Sequence, residues 1–214
     1  DGAYVQIAPL LTAAGNLAWA QREFAAELSI DTLLAAAEGP APNLVFLPYL
    51  GGERSPFRDT SVRGAFLGIT SHTTRADFLF ALLEGVAFAF RHAAEVLGVQ
   101  ASGPHDRPWV VSGGGARSHT WMQRFADVLG RPLTRLDDAA TVGLRGAWHS
   151  AVVAEGHVDS YGLVSSGTTV TPSDEHASER AAREARYRAF RAATDALRPV
   201  YADWRAELDE VGMR

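Results

Sequence analysis

One stretch constrains the fold more than any other: WVVSGGGARSHTWMQRFADVLG, Trp109 to Gly130. An apolar run enters three glycines and leaves them as an amphipathic segment that stops at a glycine. The pattern predicts a strand over Trp109–Ser112, a tight loop at Gly113–Gly115 and a helix over Ala116–Leu129. Such a turn suits a nucleotide. Glycines let the backbone approach a ligand with no β-carbon in the way, and the free N–H groups at a helix start face a phosphate. A plain strand–helix turn fits the same residues. So does a dinucleotide loop: Gly113 to Ser118 is one residue from GxGxxG, and Asp137–Asp138 stand about 20 residues on, where a ribose-binding acid belongs.

The rest of the chain reads as alternating helices and short apolar runs. Thr12–Phe24 has helical spacing, with Leu17 and Phe24 facing inward. Ser29 or Asp31 caps a second helix that stops at Gly39–Pro40. Leu44–Tyr49 and Ala65–Thr70 read as buried strands around a loop at Gly51–Thr60. Thr73 or Thr74 then caps the longest helix, which ends at Gly98 and is too apolar, from Phe78 to Phe90, to lie on a surface. After a turn at Pro104–Pro108 and the glycine loop come a strand at Pro132–Leu136 and a helix at Ala139–Glu155, with Asp137–Asp138 as loop and cap. A closing helix spans His176–Leu197, packed by Tyr187, Phe190 and Leu197. This order predicts an α/β fold in one compact domain, a parallel or mixed sheet covered by helices.

Composition narrows the function. The chain has 214 residues, 47% of them hydrophobic, which excludes a largely disordered protein. Without cysteine there is no disulfide, thiolate metal site or cysteine nucleophile. All 20 basic residues are arginine, so there is no P-loop lysine and no Schiff-base lysine. A net charge of −5 argues against nucleic acid or an anionic membrane as partner. The seven histidines show no metal-ligand spacing. The opening DGAYVQIAPLLTAAG has no signal-peptide pattern and reads as the interior of a longer protein.

Five segments, in order, resemble the FGGY family of carbohydrate kinases. GAFLGITSHTTRADFLFALLE, Gly64 to Glu84, is similar to the family signature. LPYLGGERSP, Leu47 to Pro56, resembles the PYLxGERxP segment of the xylulokinase-like branch. GGGARS resembles the adenine-nucleotide loop, LTAAGNLAW (Leu11 to Trp19) the AGGxLxW segment, and RGAWHSAVVAEG (Arg145 to Gly156) the RGAAxxAxxxxG helix. The resemblance implies the C-terminal, nucleotide-binding domain, residues 1–214, of an actin-like, ribonuclease-H-like ATPase, with the N-terminal sugar-binding domain absent.

It also implies a chemistry. The ATP γ-phosphoryl group passes to a sugar hydroxyl, a pentulose such as D-xylulose being the expected acceptor. Gly114 and Gly115 approach the ribose and α-phosphate, Ser118 makes a polar adenine contact, and Ala14 and Gly15 line the other wall. Ala14 replaces the family's usual glycine, which moves that wall slightly away. The catalytic base, most Mg2+ ligands and the sugar pocket are expected in the missing part, so this chain alone is expected to be inactive. A cytoplasmic location follows, and a homodimer is compatible. Glu84 reads as a buried hydrogen-bonding group, and Glu53, Arg54, Asp59 and Arg63 as an ion-pair network at the hinge between domains. Two alternatives stand beside this: a dinucleotide-binding oxidoreductase module, and a non-catalytic module with an actin-like fold.

Overall fold

The computed structural model describes residues 6–37, 42–99, 108–137, 141–157 and 166–212. They separate into two units, Asp1–Gly103 with Asp174–Arg214, and Pro104–Ser173. Within what the sequence reads as one domain, the inserted segment builds a core of its own.

In the first unit, helix α1 (Gly15–Phe24) starts three residues later than its periodicity predicts. Asn16 explains the delay: its side-chain amide donates to the carbonyls of Thr12 and Ala13 and holds them in a turn. Leu17 is buried, but Phe24 is 54% exposed, lying edge-on to Trp19 at the mouth of an apolar pocket. Helix α2 (Ile30–Ala36) is capped by Ser29, whose hydroxyl accepts the Thr32 N–H at 3.1 Å. Its expected stop, Gly39–Pro40, lies outside the described residues.

Strands β1 (Val45–Leu47) and β2 (Ala65–Leu67) pair antiparallel, Val45 opposite Leu67. Helix α3 (Arg75–Val96) lies against β1. Thr74 opens it with a reciprocal cap: its hydroxyl accepts the Asp77 N–H, and the Asp77 carboxylate accepts the Thr74 N–H. Every residue from Leu79 to Ala89 is buried. Only at Phe90 does the helix turn an aromatic residue to solvent. Gly85 is required by this burial, since a β-carbon there would collide with the Phe46 carbonyl oxygen.

The chain returns to this unit as helix α6 (Ala177–Glu210). Tyr187 and Phe190 pack on Phe88, and the Arg186 guanidinium donates two bonds of 2.6 Å to the Glu84 carboxylate. The helix continues through Pro199, past its expected end at Leu197. Pro199 and Asp195, whose carbonyl loses its donor, are both exposed, so water takes the place of the missing bond.

The second unit holds a three-stranded mixed sheet. Strand β3 (Trp109–Val111) runs parallel to β4 (Leu133–Leu136), and β5 (Gly167–Val170) runs antiparallel on the other side of β4. The polar sequence of β5, GTTV, carries no strand signal. Helix α4 (His119–Leu129) covers the sheet with Met122, Ala126 and Leu129 against Leu133 and Val170. Helix α5 (Val142–Ala154) is preceded by Thr141, not capped by Asp137; Asp138 lies outside the described residues. So does most of the expected turn at Pro104–Pro108. No described helix is long and apolar enough to cross a membrane.

Two measurements check this packing. Arg186→Met leaves Glu84 charged and unpaired in the core, and denaturant unfolding should show a loss of about 3–5 kcal/mol. His92 is buried on α3, and burial, reinforced by Arg191 and opposed by Glu95 and Asp195, pushes its pKa down to about 4. The unfolded ring takes a proton near pH 6.5 and the folded ring does not. Stability is therefore fully present above that pH and falls as pH drops towards about 4, by at most about 1.4 kcal/mol per unit. His92→Gln should flatten that part of a stability–pH curve.

Candidate functional site

The three glycines after β3 have three different reasons. Gly113 has φ of 98°, a backbone region that side chains resist, and it turns the chain out of the strand. Gly114 opens a 3-10 turn, Gly114–Arg117, and a β-carbon there would meet nothing within 4 Å. Gly115 sits over Trp121, where a β-carbon would lie 3.0 Å from the ring. Packing on Trp121 is thus a reason for glycine at Gly115 beside the ligand approach expected from the sequence. Gly113, whose special backbone angle no sequence pattern distinguishes from its neighbours, went unassigned.

Ser118 is not in the first turn of a helix starting at Ala116. It is the N-cap of α4, its hydroxyl accepting the Trp121 N–H at 3.1 Å. The 3-10 turn delays the α-helix and leaves the first N–H groups of the loop without intrahelical partners. Gly114 and Arg117 are exposed beside them. At the opposite end of β3 the Trp109 ring carries the Arg131 guanidinium at 4.1 Å. Gly114, Gly115 and Ser118 therefore share one loop, in the second unit.

Ala14 and Gly15 lie in the first unit, at the exposed crest of the turn that opens α1. Ala14 has φ of −67° and ψ of −18°, ordinary helical values, so alanine fits there without strain. A β-carbon on Gly15 would meet nothing within 4 Å. Beneath them Asn16 is fully buried. Its amide reaches the Pro48 carbonyl at 3.3 Å, and the Thr12 hydroxyl reaches the same oxygen at 2.6 Å.

The GERSP loop departs from its expected role. Among the described residues no cation pairs with Glu53; its carboxylate accepts backbone N–H groups instead. Burial pushes its pKa up and those N–H groups oppose the rise. Asp59 pairs with Arg198 at 3.2 Å, and Arg63 donates to the carbonyls of Thr60, Ser61 and Val62. Glu84 is held by Arg186, as a buried structural carboxylate. Among the described residues no three histidines or carboxylates come together in a way that would hold a metal ion.

The fold is of the actin-like, ribonuclease-H-like ATPase class. Its neighbours among solved structures include a ligand-bound xylulose kinase from Lactobacillus acidophilus, with TM-score 0.77 and 25% identity over 92% of this chain and 40% of that one. A gluconate kinase from the same organism has TM-score 0.76 and 25% identity, with the same coverage. Residues 9–155 match the model of the FGGY family of carbohydrate kinases, C-terminal domain, and the chain belongs to that family. A xylulose kinase from Bacillus subtilis is 36% identical over 132 residues, 60% of this chain and 26% of that protein. The chain thus spans about a quarter of that relative's length. One family match covers both the glycine loop and the Gly64–Glu84 signature, which a dinucleotide module leaves unexplained.

The three glycines should separate in a thermal melt. Gly114→Ala should leave stability nearly unchanged. Gly113→Ala and Gly115→Val should each cost about 1–3 kcal/mol, the first through backbone strain and the second through Trp121.

Proposed function

We propose that this chain is the ATP-binding half of a sugar kinase that transfers the γ-phosphoryl group to a sugar hydroxyl. One observation carries the proposal. The loop after β3 leaves its sheet at a positive-φ glycine and presents unobstructed backbone at Gly114 immediately before the N-terminus of α4. Backbone N–H groups and a helix start favour phosphate there. Gly114, Gly115 and Ser118 are proposed nucleotide contacts in this loop, and Ala14 and Gly15 are kept as contacts on the strength of the family resemblance.

In the proposed reaction the bond from the γ-phosphorus to its bridging oxygen breaks and a bond to the sugar oxygen forms. The hydroxyl proton goes to a base outside this chain. Such a transfer depends mainly on positioning and charge stabilisation. The chain's share is to hold the nucleotide; domain closure then excludes water. The Mg2+ ligands are proposed to lie mainly outside this chain, and no step here runs through the metal. Relatives named xylulose kinases favour a pentulose such as D-xylulose as acceptor, and use of ATP favours a cytoplasmic location.

Titration with ATP, followed by amide shifts in NMR spectra, tests the proposal. ATP should shift Gly114 and its neighbours, with a dissociation constant in about the micromolar-to-millimolar range. Gly114→Val, whose β-carbon would point into open space, should weaken binding sharply, and Arg54→Ala should not. A coupled ADP assay over a panel of pentoses and pentuloses should detect no sugar-dependent turnover from this chain alone. Absence of ATP-dependent shifts, or equal binding by a folded Gly114→Val variant, overturns the assignment.

A further inference from the structure

Glu53 is 2% exposed, and one oxygen, Oε1, accepts three backbone N–H groups: Leu11 at 3.0 Å, Arg54 at 2.7 Å and Ser55 at 3.5 Å. Arg54 and Ser55 belong to its own loop. Leu11 does not; it lies 42 residues away and leads into the turn that carries Ala14 and Gly15. A buried acceptor facing a distant amide fixes a position, since a buried carboxylate left without its donors is costly.

The same turn has a second tether. The Pro48 carbonyl, at the exit of β1, accepts from the Thr12 hydroxyl and the Asn16 amide. Leu11, Thr12 and Asn16 are thus tied to the segment Pro48–Glu53, while Ala14 and Gly15 between them stay exposed. Asn16 shapes the turn from within, but Ala14 offers no side-chain cap, and neither ties the turn to the rest of the unit. The placement of the crest therefore depends on its tethers.

We propose that Glu53 is a positioning residue for the nucleotide contact at Ala14–Gly15, acting as a hydrogen-bond acceptor and not as an ion-pair partner. That role rests on the assignment of Ala14 and Gly15 as nucleotide contacts. The GERSP segment then supports the nucleotide without touching it. Misplacing a binding wall by about an ångström is enough to lose affinity.

The test compares Glu53→Leu, Glu53→Gln and Gly15→Val in the 214-residue chain, each first shown to be folded by its amide spectrum. Two quantities are read: hydrogen exchange at the Leu11 amide, and affinity for ATP. Glu53→Leu should speed Leu11 exchange and weaken ATP binding, each by about tenfold, the value of one hydrogen bond. Glu53→Gln keeps an acceptor in place without the charge, and should restore both. Where Glu53→Leu does not fold, Glu53→Asp, shorter by one methylene, makes the same comparison. At Gly15 an added β-carbon points into open space, so Gly15→Val should lose ATP on its own account. If Gly15→Val loses ATP while the Glu53 variant releases Leu11 and binds as wild type, the positioning role is wrong and the contact stands. Leu11 exchange unchanged in the Glu53 variant also overturns the role. If Gly15→Val binds ATP normally, the contact itself is wrong and the positioning role falls with it.

Discussion

The Glu84–Arg186 pair joins parts of the chain that are 102 residues apart, and the first unit depends on it. Two planar groups meet edge to edge through two bonds of equal length, and both side chains are almost fully removed from water. Desolvating two charges is costly, so a pair of this kind contributes as much to specificity as to stability. It fixes which turn of α6 lies on which turn of α3. The neighbouring contacts follow from that register: Phe190 and Tyr187 against Phe88, Arg91 against Glu184, and Tyr187 donating to Glu95.

From α3 the constraint passes to β1. Gly85 removes a β-carbon where helix and strand approach most closely, so the two behave as one slab. The strand exits at Pro48, whose carbonyl holds the turn before α1. The inserted unit uses a different device. There the backbone angle of Gly113, the open face of Gly114 and the ring beneath Gly115 divide the work of one loop. In both places the exposed residues are backbone-like, and the specificity of position is built beneath them by buried polar groups and aromatic rings.

What was legible in the sequence was local. Thr73 or Thr74 announces the start of α3, Gly130 ends α4 with φ of 63°, and the run from Leu79 to Ala89 is too apolar to lie anywhere but inside. The family resemblance rested on the same kind of signal, short ordered motifs. What was hidden was decided at long range. β5 is a strand because β4 offers it an edge, although GTTV has no alternation to announce it. Phe24 has the spacing of an inward residue, but the helix ends there and the ring stays at the surface. Glu53 looked like one charge among several because its partner, the Leu11 amide, is backbone and leaves no trace in residue type. The division into two units is only half legible: its first boundary falls at the turn expected at Pro104–Pro108, whereas residue type does not single out Asp174 as the second.

The insertion of one unit within the other sets an order of assembly. Residues 104–173 contain their whole core and can close as soon as they are synthesised. The flanking unit cannot. Until Arg186 and Phe190 leave the ribosome, α3 carries an unpaired carboxylate and an uncovered aromatic face in Phe88. Closing a loop of about 100 residues adds only a few kcal/mol of entropic cost, but such non-local contacts form slowly. The two parts of the flanking unit can therefore meet only after the whole inserted segment between them has been synthesised.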